Sequence, residues 1–265
     1  MAQIGYRGIY SKKAKGPFRI SRSKIELFQQ CQRCFWLETV KGIKRPDSPP
    51  FNINKAIDEL FKKEFDVHRK ARTQHPLMKK FGVEAIPFAH DQMDEWRENF
   101  VGVQYQHEPT NLLVFGAVDD VWVNPKDELI VVDYKATAKQ QPVSELRPVG
   151  SWHDMYRRQM ETYQWLLRQN GFEVSDTGYF VYTTTNSNAD VFGDNLSFET
   201  NVIAYTGSAD WVEPILGNIK NCLDSTVMPS VGEAAMGGEC DFCGYSRART
   251  EYTLQFIQQQ KHKNE

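Results

Sequence analysis

Apolar positions recur with an approximate helical period between Ser23 and Val40, through Ile25, Leu27, Phe28, Cys31, Phe35 and Leu37. The spacing predicts a first helix, opened by a capping box at Ser23-Lys24-Ile25-Glu26. Arg45-Pro46-Asp47-Ser48-Pro49-Pro50 then breaks the chain, and Ile53, Ile57, Leu60, Phe61 and Phe65 predict a second amphipathic helix. The pattern next changes to β-branched and aromatic runs. Leu112–Val123 and Leu129–Tyr134 flank the turn-forming stretch Asn124–Glu128 and predict a β-hairpin. Helical spacing returns between Trp152 and Arg168 at Met155, Met160, Tyr163, Leu166 and Leu167, with Gly171 placed to end that helix. A strand over Gly178–Thr183, a weaker one over Val202–Tyr205 and a helix over Trp211–Leu223 follow, and Gly237–Ser246 reads as a glycine- and cysteine-rich loop. The order is mixed α/β throughout.

With 265 residues, 40% of them hydrophobic, the chain can bury a sizeable core in one compact unit. The formal net charge of −2 decides nothing about nucleic acid, so its distribution matters more. From Met1 to Arg45 eleven Lys/Arg face two acidic residues, Glu26 and Glu38. That segment offers a seat for a polyanion, or forms a solvated tail. No run approaches the roughly 18 apolar residues of a membrane span, and Met1–Tyr10 lacks the apolar centre of a secretory signal. A cytoplasmic protein without membrane contact is expected. Five cysteines are too few for a disulfide scaffold.

The hairpin carries the chemistry. If Asn124–Glu128 sets Val123 opposite Leu129, the register puts Asp119 opposite Asp133. Facing carboxylates of that kind repel unless something compensates, and a divalent cation would. Side chains alternate along a strand, so Lys135 shares the face of Asp133 and Val131, while Ile130, Val132 and Tyr134 point the other way. Phosphodiester hydrolysis needs an activated water and charge neutralisation at the phosphate. Carboxylate-held Mg²⁺ or Mn²⁺ with an adjacent ammonium supplies both. An ordinary hairpin with solvated Asp residues and an edge lysine is the alternative from these residue types alone.

Gly116-Ala117-Val118-Asp119, then Ile130-Val131-Val132-Asp133-Tyr134-Lys135, then Gln159-Met160-Glu161-Thr162-Tyr163 resemble, in this order, the RecB-type branch of the PD-(D/E)XK nucleases. The opening Ser21-Arg22-Ser23-Lys24-Ile25, with Phe28, Cys31 and Phe35-Trp36-Leu37, resembles that family's first helix, so the likeness covers about half the chain. The resemblance implies a restriction-endonuclease-like core, a central mixed sheet flanked by helices, with the N-terminal helix and C-terminal cysteine loop forming a small clamp. Composition sets a basic segment over 1–20 and a polar tail over 256–265 around a single domain over 21–255. Asp119, Asp133 and the Tyr134 carbonyl would bind the metal, Lys135 would orient water, and Gln159 and Tyr163 would position substrate. Asp58 stands where many relatives carry a metal-binding His, as a further oxygen ligand or a surface residue. The expected activity is exonucleolytic cleavage of single-stranded DNA ends in repair, recombination or defence, with a helicase or a defence complex as partner. A nucleic-acid-binding or assembly protein, metal-stapled and without turnover, is the rival reading.

Cys31-Gln32-Arg33-Cys34 and Cys240-Asp241-Phe242-Cys243 form a paired CxxC set. Four thiolates suit Zn²⁺ or an iron–sulfur cluster, and the spacing does not choose between them. By the resemblance the set would hold a [4Fe–4S] cluster, although relatives draw one Cys from the opening helix and three from the C-terminal loop. Cys222 reads as a core residue. The six histidines, His68, His75, His90, His107, His153 and His262, show no paired metal spacing and read as structural or surface groups. Trp152, Tyr156, Tyr179 and Tyr182 are candidates to stack bases, or core residues.

Overall fold

The computed structural model describes residues 8–47, 51–188, 190–191, 193–233 and 238–263. The expected break at Arg45–Pro50, the basic start and the Gly237 loop therefore lie partly outside the described residues. The elements run β1 (Phe18–Ser21), α1 (Arg22–Gln30), α2 (Gln32–Lys41), α3 (Asn52–Ala71), α4 (Pro76–Lys80), β2 (Ile86–Pro87), α5 (Met93–Arg97) and β3 (Val103–His107). There follow β4 (Leu112–Gly116), β5 (Asp120–Val123), β6 (Leu129–Lys139), α6 (Asp154–Gln169), β7 (Thr177–Asn186), β8 (Phe198–Thr206), α7 (Val212–Asp224) and α8 (Asp241–Lys263). No described helix is long and apolar enough to cross a membrane.

The sheet that bears the hairpin has the order β2-β5-β6-β7-β8, with β6 and β7 parallel and the other pairs antiparallel. A parallel pair needs a crossover, and α6 supplies it. One face of β6 sends Val131 into the main core with Met160, Leu166 and Phe180, while Ile130, Val132 and Tyr134 enter a second core with Phe65, Met78 and Trp122. The sheet is thus covered on both faces, by α6 on one side and α3 on the other. This is the expected mixed sheet flanked by helices.

Three local expectations are corrected. Leu112–Val123 is not one strand. β4 ends at Gly116 and joins a separate sheet of order β1-β4-β3, and Ala117-Val118 carry the chain across to β5. Val118 gives its N–H to Trp96 (3.0 Å) during that crossing. The first helix is also split, because Cys31 adopts an extended backbone (φ −159°, ψ 105°) and its Sγ accepts the Cys34 N–H at the start of α2. Its N-cap is Ser21, which accepts from Lys24 N (3.3 Å), not Ser23. Glu26 instead pairs with Arg158 at 2.7 Å. Finally, the cysteine loop stops at Cys240, and Cys243 lies in the first turn of α8.

Behind the hairpin lies an ionic network that joins distant segments. Asp120, fully buried, receives Arg69, Arg97 (2.8 Å), the Val121 N–H (2.8 Å) and the Tyr134 hydroxyl (2.7 Å). Both arginines also donate to Asp66, each at 2.9 Å. Burial and the Asp120 carboxylate raise the Tyr134 phenol well above its usual range, so it stays protonated and donates. Removing one partner from such a set leaves buried charge uncompensated. Asp120→Ala is expected to cost about 3–5 kcal/mol in urea unfolding. A loss below about 1 kcal/mol would show that the network is not structural.

Candidate active site

The five-residue loop closes the hairpin as expected. Asn124 Oδ1 accepts from Lys126 N (2.9 Å) and Glu128 N (3.0 Å), and Asp127 takes the left-handed conformation (φ 61°). The ladder then reads Val123↔Leu129, Val121↔Val131 and Asp120↔Val132. Extended by one residue, it sets Asp119 against Asp133. Here the backbone pairing stops and a side chain takes over, because the Asp119 carboxylate accepts the Tyr134 N–H at 2.9 Å. In a strand the N–H and C=O of one residue face the same edge, so the Tyr134 carbonyl is directed to the Asp119 side as well.

Asp133 is fully buried, and neither of its oxygens has a hydrogen-bond partner of good geometry. Its one close companion is the Lys135 ammonium, against Oδ2. Burial pushes its carboxyl up to about 7; Asp119 adds to the rise, and Lys135 and Arg22 oppose it. A carboxylate in that position is costly unless cations compensate it. Lys135 does so in part while packing over the Tyr156 ring (4.6 Å).

Asp58 approaches from α3. The start of that helix is tied to β6 by Asn54, whose Nδ2 donates to Ala136 O at 2.9 Å, and Asp58 stands one turn further on. Its Oδ2 pairs with Lys62 (2.8 Å), while Oδ1 is buried without a partner. Burial and then Asp119 raise its carboxyl above the usual range. Asp119 thus acts electrostatically on both Asp58 and Asp133. Each of the three acids is held by its own donor, Lys62, Lys135 or the Tyr134 N–H. Among the described residues only the cysteines converge to within 4.8 Å as a set of three or more ligand groups. The acidic donors still fit a hard divalent cation. They are oxygens, three of them buried without a hydrogen-bond partner, and such an ion prefers carboxylates, carbonyls and water.

Gln159 and Tyr163 come from the face of α6 that covers this end of the hairpin. Gln159 Nε2 donates to the Tyr163 hydroxyl (3.4 Å), and Tyr163 is buried under the electrostatic influence of Arg22, Asp119 and Asp133. A Cβ at Gly116 would meet Tyr163 Cε1 at 2.6 Å, so only glycine lets that ring reach the site. The glycine preceding Asp119 and the tyrosine of α6 are one steric unit.

Arg22 was not singled out by sequence reasoning. It opens α1, its Cβ stands 3.3 Å from where a Cβ at Gly116 would be, and its charge acts on Asp133 and Tyr163. Its place inside the Ser21–Ser23 motif was the available signal. Of the histidines, His75 stacks on Phe65 (4.0 Å), His107 bonds Glu213 (2.7 Å) and His153 accepts Arg147 N (2.8 Å), all of them structural roles. The side chain of His262 lies outside the described set. Cys222 sits in the core, as expected. Tyr182 is buried there too, whereas Trp152 is exposed, with Lys139 over its ring (5.8 Å).

The four cysteines that bracket the sequence meet in space. The Sγ atoms of Cys31 and Cys243, Cys34 and Cys240, and Cys34 and Cys243 stand 3.7, 3.8 and 3.5 Å apart. All four are buried. This donor set suits a thiophilic metal.

The family model of the PD-(D/E)XK nuclease superfamily matches residues 52–248. The chain belongs to that superfamily, a class of nucleases dependent on divalent metals. No curated protein matches the sequence.

The buried acid gives a signed pH effect. The folded carboxyl of Asp133 holds its proton to about pH 7, against about 4 in an unfolded chain. The native state therefore binds more protons between these limits, and its stability falls as pH rises through them. Without added Mg²⁺ or Mn²⁺, Asp133→Asn should gain stability over the native chain as pH rises from about 4 to about 7 in urea unfolding. Parallel curves would exclude a raised Asp133.

Proposed function

We propose that the chain is a Mg²⁺- or Mn²⁺-dependent exodeoxyribonuclease acting on single-stranded DNA ends, in repair, recombination or defence and alongside a helicase or defence complex. The observation that carries this reading is the buried Asp133, opposite Asp119 and two residues before Lys135, with its charge compensated only in part. Asp119, Asp133 and the Tyr134 carbonyl would hold the cation, with Asp58 as a further oxygen donor. The ion would lower the pKa of a bound water and polarise the phosphate.

The protein's own groups do the rest. Lys135, beside Asp133, would offer its ammonium to the attacked phosphate and orient the water. Arg22 adds a second positive charge on the α1 side. Gln159 holds the Tyr163 hydroxyl, and that ring, seated on Gly116, walls the site. On the α3 side of the β6 end a cleft of about 710 Å³ is lined by Ile53, Asn54, Ala136 and Phe198. Trp152 with Lys139, and Tyr156 with Lys135, pair an aromatic face with a cation at the other side of the β6 end. Such pairs suit unpaired bases and their phosphates, which supports a single-stranded substrate.

End-labelled single- and double-stranded DNA with Mg²⁺ or Mn²⁺ is expected to give a ladder of short products. Asp133→Ala abolishes it, and Lys135→Ala slows cleavage by about a hundredfold or more. Native protein that binds DNA but never cuts under these conditions would transfer the reading to a binding or assembly role. Arg22→Ala should weaken DNA binding and reduce the slope of log affinity against log salt by about one. An unchanged slope would remove Arg22 from the phosphate path.

A further inference from the structure

The resemblance of the motifs implies a [4Fe–4S] cluster on the cysteines, and the residues present do not fit one. A cubane binds each thiolate to a different iron at a separate corner, so its four sulfurs must spread far apart. Here the opposite holds, since the Sγ separations are 3.5, 3.7 and 3.8 Å and all four atoms lie within 4.8 Å of one another. A single tetrahedral ion with bonds of about 2.3 Å to sulfur requires edges of about 3.8 Å, the tetrahedron's edge being 1.63 times its radius. The donors also come two from each end of the chain, each pair in a CxxC turn, and not one and three.

We propose that Cys31, Cys34, Cys240 and Cys243 bind one Zn²⁺ as a redox-inert staple between α1–α2 and α8. The surroundings are those of a thiolate site. Cys31 Sγ accepts two backbone N–H groups, from Cys34 (3.4 Å) and Gly232 (3.3 Å), and Arg45 donates to Cys240 Sγ (3.4 Å) while stacking over Phe242 (4.7 Å). These donors offset the double negative charge that four thiolates leave on a divalent ion. Gly232 is the clasp. Its carbonyl accepts the Cys240 N–H (2.7 Å), and a Cβ there would meet Cys31 Cα at 2.6 Å, so only glycine lets the C-terminal segment lie against α1.

The staple bears on the nuclease centre through α1, which ends at Cys31, begins at Arg22 beside Tyr163, and is tied to α6 by Glu26–Arg158. Its role is therefore to hold α1 against α6, and no electron transfer is required of it.

The full chain, purified anaerobically from cells supplied with both iron and zinc, should be colourless, with about one zinc per chain by mass spectrometry and no acid-labile sulfide. Exchange with Co²⁺ should give the visible bands of a tetrahedral thiolate site, absent from Cys34→Ser. Should that variant fail to fold, the metal and sulfide content of the native protein decides the question alone. A brown protein containing iron and sulfide in equal amounts would overturn the assignment, and so would a folded native protein with no metal and all five cysteines present as free thiols.

Discussion

A fully buried carboxylate with an incomplete set of partners is the constraint around which the rest of the molecule is arranged. Asp133 sits where β6 leaves its pairing with β5 but is still paired with β7, so its backbone is fixed while its side chain is buried without a hydrogen-bond partner. Transferring such a charge from water is expensive, and one ammonium recovers only part of the cost. The surroundings of Asp133 are set by specific contacts. Asp119 replaces a missing rung of the ladder by taking the Tyr134 N–H, Gly116 lets Tyr163 close one wall, and Asn54 ties α3 to the far end of β6 so that Asp58 arrives beside Asp119. Lys135 pairs with Asp133 but offsets its buried charge only in part, and a divalent cation would offset the rest, which supports the proposed metal site.

The second element of the design is rigidity supplied from behind. Tyr134 lies between Asp133 and Lys135, and its hydroxyl is fixed by Asp120, itself clamped by Arg69 and Arg97. The two faces of one three-residue stretch thus serve different ends: the outer face offers chemistry, and the inner face is anchored in a satisfied ionic network. Loosening the anchor would move the Tyr134 backbone, and with it both neighbouring side chains, by strand geometry alone.

Much of this was legible from the chain because it depends on local rules. The hairpin register follows from a turn of five residues and strict alternation, so the opposition of Asp119 and Asp133, and the split between Val131 and its neighbours, needed no tertiary information. What failed needed it. Leu112–Val123 has strand composition throughout, and only the handover of β4 to another sheet ends it at Gly116. Cys31 keeps the apolar helical period, yet its sulfur caps the next helix and breaks the first. Arg22, Gly232 and the Asp120 network join positions too distant in sequence for any periodic pattern to reveal. The likeness to a nuclease family pointed to the superfamily that the family model matches, while the arrangement of the cysteines departs from that likeness.

The central claim is that Asp133 exists to bind a divalent cation, and its most direct test is thermodynamic. Mn²⁺ titrated into the protein during urea unfolding should stabilise the native chain, by about 2.7 kcal/mol when the ion is at about a hundred times its dissociation constant. Asp133→Asn should lose most of that response while remaining folded. A native chain whose stability ignores Mn²⁺, or a variant that responds equally, would contradict the account and leave Asp133 as the buried partner of Lys135.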